Sequence, residues 1–195
     1  MHQLIHIVVH DRETPEDATA VANTLFEGRD APLRGPYDYG RAMGDPDARW
    51  RDDYSDEVRE TGAIRADSDR GREEIEDSWQ STKAEMCRDL AVLREAFDTI
   101  EDDEELLNDP IVEADVEEWD PLGLFQGEDD RAETYNSWVR RAMYNIGSYR
   151  GPTYYLYEEH RMAVRTPHEY RELCDDLDSL NENERAWVVP MDVHY

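Results

Sequence analysis

Histidines recur at every fourth position of the opening stretch, as His2, His6 and His10. On an extended strand that spacing preserves parity, so all three side chains leave from one face. At the other end of the chain Asp192 and His194 share a parity in the same way. If the two terminal segments are antiparallel neighbours, His6, His10, Asp192 and His194, joined by His160 from a turn, form one set of imidazole and carboxylate groups. Such a set suits zinc or another divalent transition metal, and it also suits proton transfer. The motifs that would fix either assignment are absent from the sequence: there is no HExxH, CxxC or His-x-His, no G-x-S-x-G and no glycine-rich phosphate loop. No residue is therefore assigned as catalytic, and the histidine set stands as the alternative reading.

A second constellation is electrostatic. Residues 95–130 hold 16 Asp or Glu and no Lys or Arg. The stretch from Arg131 to Arg171 then carries seven arginines against four glutamates, together with eight aromatic residues. Within it, Arg140, Arg141, Tyr144, Tyr149 and Arg150 are the candidate partner-binding residues. Arginine forks carboxylates and phosphates bidentately, and Tyr, Trp and Arg dominate the energetics of protein interfaces. The internal alternative is that these arginines neutralise the acidic segment before them while the tyrosines fill a core.

These residues need elements to hold them. Residues 3–9 (QLIHIVV) and 186–194 (AWVVPMDVH) read as strands. Residues 153–158 (TYYLYE) and 161–165 (RMAVR) read as a tight hairpin. Two helices announce their starts alike, at Thr14-Pro15-Glu16-Asp17 and Thr166-Pro167-His168-Glu169, each with an N-cap threonine, a proline in the first turn and acids behind it. The order β-α…β-β-α-β predicts an α+β fold, a small antiparallel sheet of ferredoxin-like order in a single domain. Residues 1–28 and 150–195 supply the sheet portion. Residues 29–149 form a mainly helical insertion that begins with an irregular 29–70 stretch. The insertion's helices span 72–101, with Ile75, Trp79, Met86, Leu90, Leu93, Phe97 and Ile100 in a stripe, and 128–146.

Composition bounds the rest. The 195 residues carry 49 acids, 20 arginines and one lysine, Lys83, for a formal charge of −28. Such a surplus opposes compaction where the Debye length is about 8 Å, and is tolerable at about 3 Å in molar salt. The 19 aromatic residues and the helical periodicity argue for a folded chain over a disordered acidic one. No apolar run reaches the length of a membrane span and the N-terminus lacks a signal-peptide pattern, so a cytoplasmic location is expected. Cys87 and Cys174 fall in predicted helices and read as small buried thiols. Molar salt removes most of the counterion-release gain of nucleic-acid binding, which leaves a protein or a second copy of the chain as the expected partner. The expectation is a salt-adapted interaction or regulatory module, non-enzymatic and without cofactor; the alternative is a small metal-dependent or acid–base enzyme on the sheet face.

Overall fold

The two terminal segments pair along their whole length. In the computed structural model, which describes residues 2–99, 154–181 and 183–194, strand β1 (His2–His10) lies antiparallel to the last strand, β6 (Ala186–His194), with His2 opposite His194 and His10 opposite Ala186. Their apolar, β-branched residues are buried on both faces, as central strands require. Between them run, in chain order, helix α1 (Pro15–Thr24), strand β2 (Tyr39–Ala42), a short 3₁₀ turn (Arg51–Asp53), helix α2 (Asp56–Thr61), strand β3 (Ile64–Arg65), helix α3 (Asp69–Thr99), strands β4 (Leu156–Glu158) and β5 (Met162–Ala163), and helix α4 (Pro167–Asp178). The fold is α+β around one open mixed sheet, ordered β2-β6-β1-β4-β5, with β3 also paired to β6.

This order corrects the ferredoxin-like expectation. In that arrangement the outer member of the hairpin, here β5, would lie antiparallel beside β1. Instead β4 takes the place beside β1, and it runs parallel, with His6 opposite Leu156 and Val8 opposite Glu158. Burial gives the reason. All three residues of β4 are buried, whereas both residues of β5 are only half-buried, so β4 belongs inside the sheet and β5 at its edge.

The opposite edge is built from the 29–70 stretch, expected to be irregular. There β2 pairs with residues 191–194 of β6 and β3 with residues 187–188. Pro190 separates the two. The backbone N–H of His6, the residue opposite it, donates to the Tyr155 carbonyl on the β4 side (2.7 Å), so the amide that Pro190 lacks would have pointed to the β2/β3 edge. A proline there interrupts the ladder, and two short strands cover what one long strand would otherwise cover.

Helices close both faces. Val8, Leu156, Ala186 and Val188 pack with Ile75 and Trp79 of α3 and Leu173 and Leu177 of α4. On the other face Ile5, Ile7, Val9, Val189 and Met191 are fully buried, and α1, with Ala18 and Ala22 inward, packs against β1, β2 and β6. Both threonine N-caps form, Thr14 accepting the Asp17 N–H and Thr166 completing a capping box with Glu169.

The chain divides into two compact units, Met1–Thr82 with Pro152–Tyr195, and Lys83–Gly151. Of the second, residues 83–99 are described, the continuation of α3; the helix expected at 128–146 lies outside the described residues. Both cysteines are free, Cys87 exposed and Cys174 half-buried, rather than buried as expected. No described helix is long and apolar enough to cross a membrane.

Candidate functional site

The alternation along β1 turns His2, His6 and His10 towards one face, and each meets a carboxylate of its own. His2 Nδ1 lies 2.7 Å from Asp192, two residues along β6 from the residue directly opposite. Asp192 is fully buried, and its second oxygen accepts the Arg49 backbone N–H at 2.9 Å. His10 Nε2 lies 3.3 Å from Glu158 on the neighbouring strand, and its ring stacks on His160 with centroids 6.2 Å apart. Glu158 also accepts the backbone N–H groups of His160 (3.3 Å) and Arg161 (3.0 Å). Burial alone would raise the Glu158 carboxyl, but these donors and His10 outweigh it and hold it below the usual glutamate range.

The five residues of the metal reading therefore occupy three separate places. His10 and His160 share Glu158 at the C-terminal end of β1. Asp192 lies near the other end, where His194 turns to Asp38 (3.1 Å) and stacks on Tyr39, its ring centroid 5.1 Å from that of His2. His6 stands alone between them. Among the described residues no group of three or more His, Cys, Asp or Glu could hold a metal ion.

His6 has the most developed surroundings. Its Nδ1 forms a hydrogen bond with the Ser78 hydroxyl, and its Nε2 lies 2.7 Å from Glu74 and 3.2 Å from the Tyr54 hydroxyl. Glu74 is ion-paired to Arg70, one turn earlier on α3, and accepts from Tyr54 at 3.5 Å. Burial pushes the Glu74 carboxyl up, yet hydrogen bonding and charge from His6, with Arg70 behind them, bring it below its ordinary value. The Tyr54 phenol is pushed far up, first by burial and then by the Glu74 charge, so it stays protonated and donates. The Glu74 carboxylate can accept from His6 Nε2 where that nitrogen carries the ring proton. That tautomer presents Nδ1 as the acceptor for the Ser78 hydroxyl. A cavity of about 520 Å³ opens beside this group, lined by His6, Glu74 and Ser78 together with His2, Trp50 and Tyr155.

The period of β1 marks His6 in the sequence, whereas its partners carry a weaker signal. Glu74, Ser78 and Thr82 recur at helical spacing immediately beside the Ile75–Trp79 stripe, and all three are buried. That run of polar residues flanking an apolar stripe was the available signal. The candidate partner-binding residues Arg140, Arg141, Tyr144, Tyr149 and Arg150 lie outside the described residues. The described part of the same arginine-rich stretch is engaged internally: Arg161 pairs with Asp176, Arg165 with Glu169, and Tyr154 and Tyr157 are buried.

The model of a protein family described as a domain of unknown function (DUF7995) matches residues 1–129 and 122–195. No curated protein and no solved structure matches the chain.

Proposed function

We propose that this chain, which belongs to the DUF7995 family, is a salt-adapted cytoplasmic interaction or regulatory module. It binds a protein, or another anionic partner, through the arginine- and tyrosine-rich stretch at Arg140, Arg141, Tyr144, Tyr149 and Arg150. The observation that carries this reading is the charge reversal at Arg131. Residues 131–150 hold four arginines and one glutamate, directly after 36 residues (95–130) without a base. The arginines and tyrosines further along have partners inside the fold, so the surplus positive charge of the stretch is concentrated in those twenty residues. At high salt, long-range attraction is screened; bidentate arginine contacts and aromatic burial then supply the affinity. Replacing Arg140, Arg141 and Arg150 together by Ser is expected to abolish co-purification of a partner from native lysate in about 2–3 M KCl, where the Debye length is shortest, with circular dichroism unchanged. Co-purification that survives the triple substitution would sink the reading.

A second reading, a small acid–base enzyme on the sheet face, is favoured by one observation. His6 bridges a serine hydroxyl and a carboxylate beside a cavity. Proton transfer needs no more than that pair and a substrate in reach.

A further inference from the structure

We propose that Ser78 is a nucleophile, activated by His6 and Glu74, that takes the acyl group from uncharged esters entering the cavity beside it. The proposal deepens the acid–base reading and rests on it.

The Ser78 hydroxyl has an unusual partner for a helical serine. A serine within a helix ordinarily turns its hydroxyl back to the carbonyl four residues earlier. On the same helix Ser81 does so to Asp77 (2.9 Å), and Thr82 does so to Ser78 (3.1 Å). Ser78 turns away from its own helix and bonds to His6 Nδ1 across the interface with β1.

The three groups also stand in the order that such a relay requires. A serine oxygen is a weak nucleophile until a base beside it takes its proton and a third group orients that base. Here the imidazole lies between the two, Nδ1 at the hydroxyl and Nε2 at the carboxylate. Glu74 and Ser78 stand one helical turn apart, so both ends of the relay sit on one rigid element and His6 enters from the sheet. Tyr54 and Arg70 hold the carboxylate in turn. All three members are nearly closed to solvent, His6 and Ser78 each 4% exposed and Glu74 6%, and they meet the outside through the cavity. Burial of this kind strengthens the electrostatic interactions within the relay relative to water.

The lining sets the class of substrate. Trp50, Leu4 and Tyr155 give the cavity apolar walls, while Asp77 and Glu74 place carboxylates on it and disfavour anionic ligands. An uncharged ester with a small acyl group fits that chemistry. In the step proposed, Ser78 Oγ bonds to the carbonyl carbon as its proton passes to His6 Nδ1. The ester C–O bond then breaks, and the same proton goes to the departing alkoxide, releasing the alcohol. Water repeats the sequence on the acyl-serine, releasing the carboxylic acid and restoring Ser78. Glu74 touches only His6 and is a positioning residue.

The test uses the full chain in about 3 M KCl, the strongly screened regime. It combines an alkyl fluorophosphonate probe, mapped by peptide mass spectrometry, with turnover of p-nitrophenyl acetate. One adduct is expected, on Ser78. Ser78→Ala should lower turnover by on the order of 100-fold or more, the usual worth of a positioned proton-transfer system, with an unchanged near-ultraviolet circular dichroism spectrum. Glu74→Gln should slow adduct formation and alter its pH profile, which loss of a merely structural contact would not do. A folded wild-type chain that gains no adduct on Ser78 overturns the proposal. Turnover that is unchanged in Ser78→Ala but lowered in Glu74→Gln overturns the nucleophile and leaves the acid–base reading standing. Turnover no faster with wild type than in buffer overturns both.

Discussion

Glu158 shows how single residues are spent in this protein. Its carboxylate is buried among His10 and the backbone N–H groups of His160 and Arg161, and each of these favours the charged form. A carboxyl whose value is depressed by folding stabilises the native state at pH values above its unfolded value, about 4.3 for glutamate. That contribution is lost as the pH falls through the lower native value. Glu158→Gln is therefore expected to melt below wild type at pH 7, and the gap should close as the pH is taken below about 4.3. Thermal melts of both proteins from pH 7 to pH 3 in constant KCl check this. A gap that stays constant across the range would show that Glu158 acts by shape and not by charge. His2 and Asp192 form a similar couple at the other end of the strands, with the buried carboxylate held also by the Arg49 N–H. His2, His6 and His10 are thus each paired with an acid, and at His6 the Ser78 and Tyr54 hydroxyls join the pair.

At the scale of elements, the join between β3 and α3 leaves no room for a side chain at Gly71. Ser68 accepts the Gly71 N–H at 3.1 Å, starting the helix. A side chain on Gly71 would press on the Arg65 carbonyl oxygen and would lie 2.9 Å from the Ala66 Cα, both backbone atoms that cannot swing aside. Gly71→Ala is expected to cost at least about 2 kcal/mol, as overpacking of an unyielding site does, visible as a lower melting temperature. Because α3 carries Glu74 and Ser78, the same variant should also disturb the His6 relay. A variant as stable as wild type would mean that α3 can slide at its start. Helices α1, α3 and α4 were legible because their signals are local: Thr14-Pro15 and Thr166-Pro167 mark starts, and Ile75 and Trp79 mark a buried face, whereas the six-residue α2 falls in the stretch expected to be irregular. The full-length strands β1 and β6 were legible for the same reason. What could not be read was pairing. Strands β2 and β3 are four and two residues long, and they exist because the edge of β6 offers them partners on either side of Pro190. The choice of β4 over β5 as the neighbour of β1 depends on burial, which only the assembled sheet defines. In the candidate site His6 was visible through its period, whereas Tyr54, Glu74 and Ser78 come from other elements and meet it only after folding.

For the whole molecule the question is what holds 28 surplus negative charges together. Many described arginines already sit on acids, among them Arg12 on Glu159, Arg65 on Asp67, Arg72 on Asp178 and Arg161 on Asp176. These pairs neutralise neighbours but leave the surplus unchanged. Two like charges 10 Å apart in water repel by about 0.4 kcal/mol before screening. Salt at about 0.1 M leaves roughly 0.4 of that, and salt at about 1 M leaves about 0.04. Summed over many tens of such pairs, the difference is comparable with the roughly 5–15 kcal/mol by which a domain is stable. The arginines cannot respond to dilution, since they stay charged at any working pH, so the burden falls on the solvent. Raising KCl from about 0.1 to about 1 M is therefore expected to lift the melting temperature steeply, with a smaller further rise towards 3 M as the Debye length changes little beyond 3 Å. Melts followed by tryptophan fluorescence across that range decide it. A melting temperature that holds at 0.1 M would show that the acidic surface is no obstacle to folding, and the salt-adapted reading would fall. A rise that continues unabated from 1 to 3 M would point instead to ion binding or strengthened hydrophobic burial, because screening is by then nearly complete.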